Sequence, residues 1–208
     1  MLSATAEKLL CCCAIMARLF SSFSRNRTLI QECSALFAKI WRAPKTFSRP
    51  FSRHRIAIGE VSGKGIGAAL LMASLQASLR AQALHPRLDL TTLIGDVNRL
   101  VHDSSPSNFF ASLFYAEYEP GTRTLPYVNA GHNPPIVVRP REGACELFRL
   151  SAEAVPVGIL ADARFEAAKF QLMEDDILVA YTDGITANSS GDLWGPERLE
   201  HLLLFAPA

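Results

Sequence analysis

The chain contains no C-x-x-C pair, and its five cysteines are Cys11, Cys12, Cys13, Cys33 and Cys145. An odd count crowded toward one end fits neither a disulfide framework nor a cysteine zinc site, which points to a reduced, cytoplasmic setting. Long apolar runs are also missing. The best candidate, residues 9–19, is apolar apart from Arg18. It falls well short of the roughly 20 residues that a membrane-spanning helix needs, and no small-residue cleavage site follows it. Internal repeats and low-complexity tracts are absent. A P-loop is absent too, because Gly65 stands after Lys64 where Ser or Thr is required.

What is present is a globular balance, with 49% hydrophobic and 20% charged residues in 208. The formal net charge of +1 conceals a strong asymmetry. Through residue 55 there are ten Lys and Arg against two acids, Glu7 and Glu32, and thereafter eleven basic residues face eighteen acidic ones. This predicts a basic N-terminal extension over residues 1–54, outside the domain, joined to an acidic globule over residues 55–208. The extension lacks interleaved aromatic and basic residues, so no nucleic-acid partner is indicated. Within it, residues 28–42 have the spacing of an amphipathic helix.

From residue 55 the order is strand, carboxylate, glycine loop, helix. Ile56, Ala57 and Ile58 lead to Glu60, then to Gly63, Lys64, Gly65 and Gly67, then to an Ala-, Leu- and Met-rich run. Helices are predicted over residues 67–84, apolar nearly all round its first turns and therefore buried, and over 90–102, N-capped by Asp89. Strands follow at 110–118, 124–129, 135–139, 145–150, 164–172 and 176–181, and a last helix begins after Pro196. Adjacent helices followed by hairpin-linked strands indicate an α+β fold with antiparallel sheet.

Two apolar strands, far apart in sequence, each end at an acid: Glu60, and Asp183 in ILVAYTDG. Brought to one sheet edge, the two carboxylates offer hard oxygen ligands to Mg²⁺ or Mn²⁺. The glycine loop and the N–H groups of the following helix suit a phosphate. A competing motif runs through the same loop: Gly63, Gly65 and Ala68 match the G-x-G-x-x-A dinucleotide fingerprint, with Asp89 about 20 residues on.

The blocks GEVSGKGIGAALLMASLQASLRA, FFASLFYAEYEPGTRTLPYVNAGHNPPIVV, VPVGIL and LVAYTDGITAN with LWGPERL, in this order, resemble the PPM-type (protein phosphatase 2C-like) serine/threonine phosphatases of the bacterial SpoIIE/RsbU branch. The resemblance implies an α-β-β-α sandwich with two antiparallel sheets and a pair of Mn²⁺ or Mg²⁺ ions at one end. It implies a metal-dependent protein phosphatase in which a metal-bound hydroxide attacks a phosphoserine or phosphothreonine. The substrate implied is a regulatory protein of the anti-anti-sigma (STAS) type, and dimerisation is compatible with it. Carried over by position, Glu60 is the metal-bridging acid (usually Asp in D-x-S-G-K-G), the Val61 carbonyl is a backbone ligand, and Asp183 is the acid of the Y-T-D-G block. Gly63, Lys64 and Gly65 fall in the phosphate-receiving loop. His132 and Asn133 belong to the N-A-G-H-N-P-P block, with loop ordering before Pro134 as their expected task.

Two family acids have no counterpart here, one from an upstream G-G-D-x-x-D block and one from a final D-D-x-T strand. The domain is therefore expected to be partial, with exposed sheet edges. A second reading stays open beside the phosphatase: a non-catalytic phosphatase-like module that binds a STAS-type or kinase partner.

Overall fold

Successive residues of the central strands point to two opposite faces that are both buried, and the helices bury a single stripe. The computed structural model describes residues 29–30, 38–42, 54–82, 89–106, 108–151, 154–183 and 195–204. In chain order these form β1 (Leu29–Ile30), β2 (Ala38–Arg42), β3 (His54–Val61), α1 (Gly65–Gln82), α2 (Leu90–Ser104), β4 (Ala111–Tyr118), β5 (Thr124–Ala130), β6 (Ile136–Arg139), β7 (Glu146–Arg149), β8 (Ala168–Gln171), β9 (Ile177–Tyr181) and α3 (Gly195–Leu204). One sheet has the order β1-β3-β4-β5-β8 and the other β2-β9-β6-β7. All pairings are antiparallel except that of β1 with β3.

Three apolar layers follow from the alternation. Ala57, Leu113, Tyr115 and Val128 face Leu71, Leu75 and Leu79 of α1 and Leu93, Ile94, Val97 and Val101 of α2. The intervening residues of the same strands, Ile56, Ile58, Phe114, Ala116 and Leu125, pack on Val137, Leu178 and Ala180 of the second sheet. The outer face of that sheet, through Ile136, Val138, Val179 and Tyr181, meets Leu199 and Leu203 of α3. Each fully buried Leu or Ile contributes roughly 1.5–3 kcal/mol to this arrangement. The result is the expected α-β-β-α sandwich. Among the described residues no helix is long and apolar enough to cross a membrane.

Three expectations are corrected. The amphipathic helix expected within residues 28–42 is replaced by β1 and β2. They pair Leu29 with Ile56 and Ile40 with Val179, so the segment marked off by its basic charge carries strands of both sheets. Sheet edges offering backbone partners override a helical spacing in short runs containing β-branched and aromatic residues. Helix α1 is not buried all round its first turns. Only Leu71, Leu75 and Leu79 are buried, while Ile66 and Leu70 are 81% and 66% exposed, because a helix lying on a sheet covers one stripe at i, i+4 and i+8. The strand expected over 164–172 is confined to β8, which pairs only with residues Thr124–Tyr127 of β5. Asp89 is the expected N-cap: its carboxylate accepts from the Thr92 N–H at 2.9 Å at the start of α2, and the competing dinucleotide motif lacks its parallel strand, since β4, the next strand after the helices, lies antiparallel to β3.

The end of β9 remote from Asp183 is closed by a buried ion pair. Arg139, the last residue of β6, donates from Nε and Nη2 to Asp176 at 2.9 and 2.7 Å, and Nη2 also reaches the Gln171 carbonyl at 3.2 Å. The guanidinium lies over Phe148 and Phe170, and Asp176 is fully buried. Removing one partner leaves an uncompensated buried charge. Arg139→Met is therefore expected to destabilise the fold by about 3–5 kcal/mol in denaturant titration. The double variant Arg139→Met/Asp176→Leu should recover a large part of that loss.

Candidate metal centre

Glu60 owes its place to the period of β3. Ile56 and Ile58 point between the sheets, and the next position in the same stripe is Glu60, at the mouth of the sandwich. Its register partner on β4 is Ser112, and Val61, which closes β3, pairs with Ala111. Asp183 arrives from the other sheet, two residues beyond β9, where its side chain is exposed. The two acids are thus supplied by the ends of strands in different layers.

They meet. The Glu60 carboxyl is pushed above its ordinary range, first by burial, then by the negative charge of Asp183, and then by a hydrogen bond between the two side chains. Two carboxylates in hydrogen-bond contact cannot both remain ionised without cost, and a shared proton or a cation relieves it. This donor set fits a hard divalent ion: Mg²⁺ takes one or two carboxylates and keeps several waters. Glu60, Asp183 and the backbone at Val61 would hold it. Among the described residues no group of three or more Asp, Glu, His or Cys side chains forms a fuller ligand cluster.

The loop beside the acids is built for close approach of a backbone. Gly63 and Gly65 have φ of 89° and 80°, the left-handed region that favours glycine. A Cβ at Gly63 would lie 3.3 Å from the ring of Phe109, which packs against the loop from the α2–β4 connection. Ser62 ties the same connection down: its N–H donates to the Phe110 carbonyl at 2.8 Å and its Oγ accepts from the Phe110 N–H at 2.9 Å. Lys64 is exposed, and α1 begins at Gly65, so its first N–H groups lie close behind the loop.

His132 is the residue that sequence reasoning left without a chemical task. It is buried just past β5, with Nδ1 2.9 Å from Ser112 Oγ. Burial lowers its pKa to about 4, against the opposing influence of the Tyr181 carbonyl and the Asp183 charge, so the ring is neutral near pH 7. The signal that could have marked it is its place two residues after a strand that lies beside β4.

The sign of the Glu60 shift sets a pH dependence. The folded metal-free protein holds this proton more tightly than the unfolded chain, so between the ordinary and the raised pKa the native state binds more protons. Stability is then present at low pH and falls as pH rises through the carboxylate range toward the raised value. Asp183→Asn should flatten that fall and bring the Glu60 carboxyl back toward its ordinary pKa, as read by carbon-detected NMR titration of the metal-free protein.

Comparisons with known proteins place this geometry in a family. The phosphoserine phosphatase RsbU of Bacillus subtilis (strain 168) is 30% identical over 134 residues, covering 63% of this chain and 38% of that protein. The chain thus spans well under half the length of this curated relative. A crystal structure of the RsbU and RsbW domains of a Mycobacterium tuberculosis protein superposes with a TM-score of 0.61 at 22% identity, covering 78% of this chain and 48% of the other. The PP2C phosphatase domain of the cell fate determinant SpoIIE from Bacillus subtilis, with a fragment of its regulatory domain, gives a TM-score of 0.58 at 17% identity over 82% of this chain and 48% of that one. The sandwich is therefore a PP2C-type fold. The sequence profile of the family described as "Stage II sporulation protein E (SpoIIE)" matches residues 51–207, and the chain belongs to that family.

Proposed function

We propose that this chain is a metal-dependent serine/threonine phosphoprotein phosphatase. The observation that carries the reading is the meeting of Glu60 and Asp183, delivered by different sheets beside a glycine loop that opens a helix. When bound there, a divalent cation supplies a Lewis acid for a phosphoryl oxygen and lowers the pKa of a water to make a nucleophile.

The chain's own residues have the complementary tasks. Glu60 and Asp183 provide the negative charge that draws and fixes the cation, and the Val61 backbone adds a neutral oxygen. The Gly63–Lys64–Gly65 turn and the first N–H groups of α1 receive the phosphate oxygens, helped by the Lys64 charge. No side chain is needed as a covalent nucleophile. Mn²⁺ and Mg²⁺ both suit the oxygen donors.

The substrate class is a phosphorylated regulatory protein of the anti-anti-sigma, STAS type. Support comes from the family's resemblance and from the phosphoserine phosphatase activity named for RsbU. A cytoplasmic setting accords with such a partner, and a dimer is compatible with the open sheet edges.

The experiment is hydrolysis of a phosphoserine peptide by the purified chain, with Mn²⁺ and with EDTA. Turnover should require Mn²⁺, vanish in EDTA and drop to background in Asp183→Asn. Soluble, folded protein without turnover would instead indicate a phosphatase-like binding module, and undiminished turnover in Asp183→Asn would remove that residue from the site.

A further inference from the structure

At the site end of the first sheet β5 stops short, and another segment takes its place beside β4. The register that pairs Leu113 with Ala130 would bring His132 opposite Ala111. Instead the chain turns at Gly131, at φ 69°, and Ala111 bridges to Val157: each N–H donates to the other's carbonyl, at 2.9 and 2.8 Å. Pro156 fills the space at the turn, where a Cβ on Gly131 would lie 2.7 Å from its ring. Phe110 spends both of its backbone groups on the opposite side. Its carbonyl accepts from the Ser62 N–H at 2.8 Å, and its N–H donates to Ser62 Oγ at 2.9 Å. The dipeptide Phe110–Ala111 is therefore gripped by Ser62 on one side and by Val157 on the other. Val61 is the register partner of Ala111.

Val157 is fully buried, but the turn after it is not: Ile159 and Leu160 are 43% and 54% exposed. That turn is held by hydrogen bonds from one side chain. Asn98, on α2 and 1% exposed, accepts from the Gly158 N–H at 2.8 Å. Its Nδ2 donates to the Leu160 and Ala161 carbonyls at 2.9 and 3.1 Å. A side-chain amide offers two donors and a carbonyl acceptor, so both ends of Asn98 are used, and all three bonds go to the same turn. Gly158, at φ 92°, runs so close to α2 that a Cβ would meet Val101 Cγ1 at 2.7 Å.

We propose that Asn98 is a positioning residue for the metal centre. From within α2 it pins the turn at residues 158–161, and so holds Val157 as a brace on the end of β4 against which Val61 and Ser62 are aligned. Its functional meaning rests on the phosphatase reading. Without the brace, Ala111 presents an unpaired N–H and carbonyl at a sheet edge, and Phe110–Ala111 is held by Ser62 from one side alone. The Val61 backbone and the start of the glycine loop are then free to shift together. A displacement of about 1 Å at a reacting centre costs on the order of 100-fold in rate.

Two measurements on the full chain test the brace, each made well below the melting temperature of every variant. In phosphoserine peptide hydrolysis, Asn98→Ala should lower kcat by about 10–100-fold and raise the Mn²⁺ concentration for half-maximal rate. Val138→Ala thins the core of the second sheet beside Ile177. It should lower the melting temperature while leaving both quantities within about twofold. The second measurement needs no metal. In EDTA, backbone amide exchange at Ser62, Phe110, Ala111 and Val157 should quicken in Asn98→Ala by about tenfold relative to residues 114–117 of β4, and that ratio should stay at its wild-type value in Val138→Ala. Asn98→Ser, whose hydroxyl offers less to the turn, should show the same effects at smaller size, and it stands in for the alanine variant if that protein does not fold.

An unchanged exchange ratio overturns the brace. Faster exchange with unchanged kcat and Mn²⁺ requirement also overturns the proposal, since Asn98 would then stabilise the turn without positioning the site. A wild-type chain without Mn²⁺-dependent turnover refutes the phosphatase reading alone, and the exchange ratios then decide the brace by themselves.

Discussion

The contact on which the rest of this structure depends is an unfavourable one, two carboxylates held side by side. Nothing local to either strand favours it. Glu60 is carried to the mouth of the sandwich by the inner stripe of β3, and Asp183 is carried there by a strand of the other sheet. The cost is met by burial elsewhere: an inter-sheet layer of Ile, Phe and Leu side chains, and helices covering both outer faces. The packing of the sandwich and the charge of the two acids are therefore opposed at this end, an arrangement that clusters at functional sites.

The opposite end of β9 behaves differently. There Arg139 neutralises Asp176 with bidentate geometry, aromatic faces and a backbone carbonyl, so the charge is satisfied within the protein. One strand thus begins at an acid paired with an arginine and ends near an acid set beside a second carboxylate. The contrast separates Asp176, neutralised by Arg139 of the neighbouring strand, from Asp183, which lies beside Glu60 of the other sheet.

Much of this was legible in the sequence. Glu60 and Asp183 stand out because each comes at the end of an apolar run and just ahead of a glycine turn, and the blocks around them carry the family resemblance. The helices at α1 and α2 and the hairpin of β4 and β5 follow from period and turn residues. What was not legible depends on partners distant in the chain. Strands β1 and β2 exist through pairing with β3 and β9, which no local window shows. The exposure of Ile66 and Leu70 depends on where α1 meets the sheet. The placing of His132 depends on the register that sets Ser112, its ring's partner, opposite Glu60. Spacing within the N-A-G-H-N-P-P block does not contain that register.

The most direct test of the paired acids as a cation site is paramagnetic broadening of backbone amide signals by substoichiometric Mn²⁺. Broadening centred on residues 60–63 and 182–183, and lost in Asp183→Asn, is the predicted result. Broadening confined to other acidic surfaces, or equal in the variant, would contradict a metal centre at the junction of the two sheets.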